Sequence, residues 1–168
     1  MAKEIHEGLA EPLTFSIDES TKRKKGAHKP VFAKVFVEAD VPYTQTNRIH
    51  LLVNPFAGKK KGREVAEKVI EAANKAGVEI TCSYSSYSGH LITMASALVV
   101  DENDLIAVVG GDGSFSEVLT GRMLLGKSEK ETFAIVPAGT GNSQAHDLGI
   151  GSVQEAIETM LTGKKQAL

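Results

Sequence analysis

"DLIAVVGGDGSFSEVLTGRMLL" (residues 104–125) runs from apolar, partly β-branched residues through three glycines set around one acid, Asp112, and then into a stretch with helical spacing. The apolar run that ends at the glycines reads as a strand, "DLIAVVG" (104–110), and "SFSEVLTGRMLL" (114–125) as the helix that follows. The strand is apolar throughout instead of alternating, the form taken when helices cover both faces of a parallel sheet. The unit is strand, glycine turn, helix.

The same unit repeats on either side. "IHLLV" (49–53) is strand-like, and "REVAEKVIEAANKAG" (63–77) sets Val65, Val69, Ala72, Ala73 and Ala76 on one helical face, with Gly77 where a left-handed C-cap is wanted. "VEITCSY" (78–84) and "TFAIVP" (132–137) give further strands, while "HLITMASALVV" (90–100) and "SVQEAIETMLTG" (152–163) give further helices. Alternating strands and helices predict an α/β domain with a parallel sheet over 47–168. Ahead of it, residues 1–30 end in "TKRKKGAHKP" and read as a mobile basic arm, and 31–46, with "VFAKVFVEAD", as a strand and turn preface.

Composition narrows the function classes. With 19 basic against 21 acidic residues, the net charge of −2 argues against a nucleic-acid partner. A single cysteine, Cys82, excludes an intramolecular disulfide and a multi-cysteine zinc site. No apolar run reaches the roughly 18–20 residues of a membrane-spanning helix, and Glu4, Glu7 and Glu11 interrupt what a signal peptide would need. The expectation is a cytoplasmic protein, with the basic arm as a candidate contact to an anionic membrane.

In open parallel sheets the ligand site lies beyond the carboxyl ends of the strands. The turns that leave those ends are "NPFAGKKKG", "SSYSGH", "GGDGS" and "PAGTGNS". Glycine, small hydroxyls, asparagine and lysine let backbone N–H groups close on phosphate oxygens. The known phosphate fingerprints do not fit: "GKKKGR" lacks the G-x-x-x-x-G-K-[ST] spacing, and "GDGSFS" and "GTGNSQ" lack the third glycine of G-x-G-x-x-G. G-x-S-x-G and H-E-x-x-H are missing too, which removes support for those hydrolase chemistries. His90 and His146 stand without metal-ligand spacing and read as helix-start or surface residues, so no metal ligands are assigned.

"SFSE" (114–117) has the capping-box form, with Ser114 expected to cap the helix and Glu117 to reach back to it. Asp112, just before that cap, is uncrowded and suited to taking a proton from a hydroxyl or ordering a magnesium-bound water. Asn54, before Pro55, can orient a phosphate or fix its turn, and the lysines from Lys59 can attract polyphosphate.

These residues resemble the diacylglycerol kinase catalytic domain family, the lipid kinases that act on sphingosine, ceramide or diacylglycerol. "VVGGDGSFSEVLTG" (108–121) is similar to its GGDG-x-x-x-EV-x-x-G motif, "LLVNPFAGKKKG" (51–62) to its opening strand and N-P-x-x-G loop, and "IVPAGTGNSQAHDLG" (135–149) to its P-x-G-[ST]-x-N motif. "YSSYSGH" (84–90) stands where the family has T-x-x-x-G-H, with Ser85 in place of the threonine. The resemblance implies a three-layer βαβ fold like the N-terminal domain of NAD kinases and diacylglycerol kinases, binding ATP with Mg²⁺. It implies that Asn54, Gly58, Ser85, Gly111, Gly113, Gly139, Thr140 and Asn142 line the nucleotide, and Pro55, Lys59, Ser114, Glu117 and Gly141 join the candidate set from the same loops. It implies Asp112 as general base or magnesium organiser, and a lipid substrate met at a membrane surface. Family members continue into a β-rich C-terminal domain that is expected to be absent here. The alternatives are therefore a non-catalytic nucleotide-binding module or a NAD-kinase-like enzyme.

Overall fold

The computed structural model describes residues 46–126 and 131–162. The basic arm expected over 1–30 and the strand expected within 31–40 lie outside the described residues.

Strands β1 (Arg48–Val53), β2 (Glu79–Tyr84), β3 (Leu105–Gly110) and β4 (Thr132–Pro137) form one sheet in the order β2-β1-β3-β4. Every pairing is parallel, with Ile49 beside both Ile80 and Leu105, and Leu105 beside Thr132. Parallel neighbours need a long crossover, and the helices supply it. β3 is buried at every position and β1 at all but its first, whereas β2, at an edge, has no fully buried residue. The continuous apolar runs thus mark the two central strands.

Two apolar layers sandwich the sheet. On one face Ile49, Leu51, Val53, Ala107 and Val109 meet Val65 and Val69 of α2 (Gly62–Lys75) and Ile157 and Met160 of α6 (Val153–Thr162). On the other, Leu52, Ile106 and Val108 meet Leu91 of α3 (His90–Ala97) and Phe115 and Val118 of α4 (Asp112–Met123). Each such side chain contributes roughly 1.5–3 kcal/mol on full burial. The face expected for α2 is close to that observed: Val65, Val69 and Ala73 are buried together with Ala66, while Ala76 is exposed because it is the C-cap. Gly77 follows with φ 71, and its N–H and that of Val78 bond back to Asn74 and Ala73, closing the helix as expected.

Two short segments join the expected set. An irregular turn, α1 (Ala57–Lys60), left-handed from Gly58 to Lys60, sits in the first loop, and the short helix α5 (Ser143–Asp147) follows β4. Both are too short for a 3.6-residue period to show in sequence.

The amino ends of the strands are held by buried charge. His50 Nε2 donates to Asp104 Oδ2 at 3.0 Å, while Thr81 Oγ1 lies 3.3 Å from the other ring nitrogen, so one imidazole ties β1 to β2 and to the start of β3. Arg122, fully buried, makes a two-pronged ion pair with Glu131 and donates from Nη1 to the carbonyls of Ala95 and Leu98 at 2.7 and 2.9 Å. It caps the carboxyl end of α3 from α4 and anchors the entry to β4. The neighbouring Gly121 permits this approach, since a Cβ there would stand 2.4 Å from the Ile92 carbonyl oxygen.

Removing one partner of a buried pair strands the other. Arg122→Met is expected to lose about 3–5 kcal/mol of unfolding free energy in urea, and adding Glu131→Leu should recover part of that loss. A single variant as stable as the wild type would show the pair to be dispensable. Burial works to raise the Asp104 carboxyl pKa, but hydrogen bonds from His50 and the Asp101 N–H, aided by the charges of His50 and Arg48, outweigh it and hold the group below the ordinary aspartate value. The stabilisation is therefore present above the ordinary aspartate pKa and disappears as pH falls through the lowered one. Thermal denaturation at stepped pH should find Asp104→Asn less stable than wild type near neutrality, with the gap narrowing in strong acid.

Candidate active site

Three turns meet at the carboxyl ends of β1, β3 and β4. In the first, Asn54 donates its backbone N–H to Val109 and its side-chain Nδ2 to Ser114 Oγ at 3.1 Å, while its Oδ1 accepts the Phe56 N–H at 3.0 Å. Asn54 thus fixes its own turn and ties it to α4. Pro55 is buried behind it. Gly58 then turns left-handed, with φ 56, and a Cβ there would stand 1.9 Å from the Ala138 carbonyl oxygen. The first loop therefore lies directly on the β4 loop. Lys59 and Lys60 share positive φ values of 60 and 70 and are exposed. Left-handed backbone costs a non-glycine residue roughly 1 kcal/mol, so this turn is held by its surroundings.

The β3 turn departs from the capping-box expectation. Gly111 takes an extended N-cap conformation (φ −107, ψ −169), and α4 begins at Asp112, two residues before the expected cap at Ser114. Ser114 consequently falls inside the first turn, where it is buried and accepts from Asn54. Glu117 does not reach back; its Oε1 accepts the N–H of Gly89, the left-handed N-cap of α3, at 3.0 Å. An extended glycine at the cap lets the chain enter the helix early, which moves Ser114 and Glu117 off the capping positions.

Asp112 faces the β4 loop. Its Oδ2 accepts the Ser143 N–H and its Oδ1 the Gln144 N–H, both at 3.0 Å, so its carboxylate holds the start of α5. Asn142 closes the loop on itself: Oδ1 accepts from Gly139 N at 3.2 Å and Nδ2 donates to the Gly139 carbonyl at 3.0 Å. Gly139 and Gly111 are in backbone contact, for a Cβ on Gly139 would stand 2.7 Å from Gly111 Cα. A Cβ on Gly113 or Gly141 would meet nothing within 4 Å. The glycines thus divide: Gly58, Gly111 and Gly139 let loops touch, and Gly113 and Gly141 leave space.

That space is a cleft of about 380 Å³ lined by Asn54, Gly58, Gly111, Asp112, Gly113, Ser114, Glu117, Gly139, Thr140 and Gly141, along with Ala57. Of the remaining candidates, Pro55, Lys59, Ser85 and Asn142 are not in its lining. Asn142 instead borders a second hollow across α5, of about 450 Å³, with Pro137 and His146. Ser85 is buried at the end of β2, its N–H bonded to Val53. Among the described residues no group of three or more His, Cys, Asp or Glu side chains is placed to hold a metal ion. Asp112 and Glu117 are the carboxylates of the cleft lining.

The cleft lies beyond the carboxyl ends of a parallel sheet, where open α/β sheets take their ligands. Residues 48–168 match the diacylglycerol kinase catalytic domain, and the chain belongs to that family. It is 29% identical over 118 residues to a diacylglycerol kinase of Bacillus subtilis (strain 168), covering 69% of this chain and 38% of the relative. Against the mitochondrial acylglycerol kinase of Xenopus laevis it is 29% identical over 145 residues, 79% of this chain and 33% of the relative. Sphingosine kinase 2 of Arabidopsis thaliana is 34% identical over 107 residues, 60% of this chain and 22% of the relative. The crystal structure of a diacylglycerol kinase from Bacillus anthracis str. Sterne shares the fold, with a TM-score of 0.61 at 24% identity over 73% of this chain and 49% of that one. The chain therefore spans at most 38% of the length of these curated relatives. No helix among the described residues is long and apolar enough to cross a membrane.

The division among the glycines can be tested by paired substitution. Gly139→Ala forces the β3 and β4 loops apart and should cost about 1–3 kcal/mol in urea unfolding. Gly141→Ala should stay within about 0.5 kcal/mol of the wild type. Equal stabilities for the two variants would contradict the assigned loop contact.

Proposed function

We propose that this chain is the nucleotide-binding half of a lipid kinase catalytic domain, which transfers the γ-phosphate of ATP to the hydroxyl of a sphingoid base, ceramide or diacylglycerol. The observation that carries this reading is the position of Asp112, a carboxylate lining a cleft between two glycines, Gly113 and Gly141, whose missing side chains leave room for a ligand. Phosphoryl transfer asks little covalent chemistry of the protein; it needs in-line positioning and compensation of phosphate charge. In this reading the loops around Gly113, Thr140 and Gly141 receive the phosphates, and Lys59, on the strained turn beside them, adds positive charge.

Asp112 meets the substrate hydroxyl and accepts its proton as the hydroxyl oxygen bonds to the γ-phosphorus and ADP leaves. Its two oxygens already accept the Ser143 and Gln144 amides, which fixes the carboxylate in one orientation, yet each oxygen can accept a further hydrogen bond. The cleft carboxylates Asp112 and Glu117 fit the usual mode for Mg²⁺, which is held by one or two carboxylates together with the phosphates and whose charge offsets theirs. The lipid would be met at a membrane surface from the cytoplasmic side. The same cleft would also serve a module that binds nucleotide without transfer.

Radiolabelled ATP offered to the chain with micelles containing sphingosine, ceramide or diacylglycerol, and separately with NAD, tests these readings. Label in a lipid is the expected result; retention of ATP without transfer supports the module, and label in NAD alone overturns the lipid assignment. Asp112→Asn should remove most transfer, on the order of a hundredfold or more. It should also lower stability by about 1 kcal/mol, because an amide cannot accept both backbone N–H groups as the carboxylate does. An Asn variant with near-normal turnover would remove Asp112 from the chemistry.

A further inference from the structure

The end of the sheet opposite the cleft carries apolar side chains that no described residue covers. Val99, in the loop between α3 and β3, and Met123, Leu124 and Leu125, where α4 ends, are between 44% and 80% exposed. The two groups belong to one surface. Arg122, next to Met123, holds the carbonyl of Leu98, next to Val99, at 2.9 Å, and Gly121 brings α4 against the Ile92 carbonyl of α3. A scattered exposed leucine needs no explanation, but neighbouring apolar side chains rimmed by polar residues mark a surface that something covers.

The point at which the chain enters the sheet bears on the occupant. Thr46 is buried, and Asn47 is bonded twice to the loop that carries Val99: its backbone N–H donates to the Asn103 carbonyl at 3.1 Å and its Nδ2 to the Glu102 carbonyl at 3.2 Å. The residues before Thr46 therefore leave the domain at the rim of this surface. They read "VFVEADVPYTQ" (35–45), which lies outside the described residues and opens with three consecutive apolar side chains, Val35, Phe36 and Val37. Val37 is nine positions from Thr46, and an extended chain of that length reaches roughly 30 Å. Packed helices lie only about 8–10 Å apart, so the segment is long enough to cross the ends of both.

A lipid surface and a second copy of the chain compete with this segment, and chemistry separates them. The loop beside Val99 carries the exposed acids Asp101 and Glu102, which oppose an anionic lipid surface. A stable interface between two copies takes about 800 Å² from each partner, more than four side chains supply. The segment needs no such area, because tethering holds it beside the surface at an effective concentration on the order of millimolar.

We propose that Val35, Phe36 and Val37 form the cover of this surface, seated on Val99, Met123, Leu124 and Leu125. The cover braces the far end of α4, the helix whose first residue is Asp112, and it stands apart from the kinase reading. Burial of one phenylalanine between two valines favours the seated segment about tenfold or more.

The test uses the full 168-residue chain carrying Cys82→Ser and Glu38→Cys, with a nitroxide attached at position 38 and NMR of labelled Val, Leu and Met methyls. The nitroxide should broaden the signals of Val99, Met123, Leu124 and Leu125, and Phe36→Ser should restore them. In chymotrypsin digestion, cleavage after Phe36 should run about tenfold faster in Leu124→Ser, and in Val99→Ser on the separate loop, than in the wild type. Circular dichroism confirms that these exposed substitutions leave the fold intact. Sharp methyl signals in the labelled chain overturn the cover, as do equal cleavage rates in the three chains. Broadening seen only between spin-labelled and methyl-labelled chains in a mixture assigns the surface to a second copy, and methyl shifts seen only with phosphatidylserine vesicles assign it to lipid. Either result overturns the cover.

Discussion

The carboxylate of Asp112 takes both backbone N–H groups at the start of α5, and the geometry of the cleft depends on that contact. It joins the loop after β3 to the loop after β4, which no side-chain packing could do across so much glycine. Beside it, Gly111 and Gly139 touch backbone to backbone, and Gly58 rests on the Ala138 carbonyl. The three loops are thereby fixed to one another by backbone contact and by one charged acceptor. A negative side chain is stabilising where helix N-termini meet, so a carboxylate that lines the cleft also holds its loops together.

A site this bare of side chains needs its rigidity from elsewhere. The central strands are buried on both faces, and the opposite end of the sheet carries two buried locks, the hydrogen bond of His50 with Asp104 and the ion pair of Arg122 with Glu131. Neither lock touches the cleft. Arg122 in particular acts at a distance by fixing α4 against the end of α3, and α4 carries Asp112, Ser114 and Glu117 towards the loops. The fold thus keeps apolar and ionic order at the amino ends of its strands, and the carboxyl ends carry strained backbone at Lys59 and Lys60 with open space at Gly113 and Gly141.

Much of this could be read in the residues. The strands were legible because parallel, doubly covered strands are runs of Val, Ile and Leu, and β4 begins and ends where "TFAIVP" does. Most candidate site residues line one cleft because the turns that carry them leave the same ends of a parallel sheet. The capping box was misleading, since S-x-x-E also satisfies a helix that begins two residues earlier from an extended glycine. Arg122 gave no signal: it sits among ordinary helix residues, and only the position of α3 shows that it is buried. Asn142 was expected among the nucleotide contacts, but in the folded chain both of its amide atoms serve Gly139.

By itself, the sequence determined the class of fold, the place of each described strand, and the glycine-rich character of the turns that leave their carboxyl ends, because hydrophobic period and turn chemistry are local properties. Tertiary structure alone decided which glycines make contacts and which make room, that Asp112 is also a helix cap, and that Glu117 reaches the β2 turn instead of its own helix start. Those assignments depend on distances between residues about thirty to eighty positions apart, and the sequence of a turn does not specify which other turn will be packed against it.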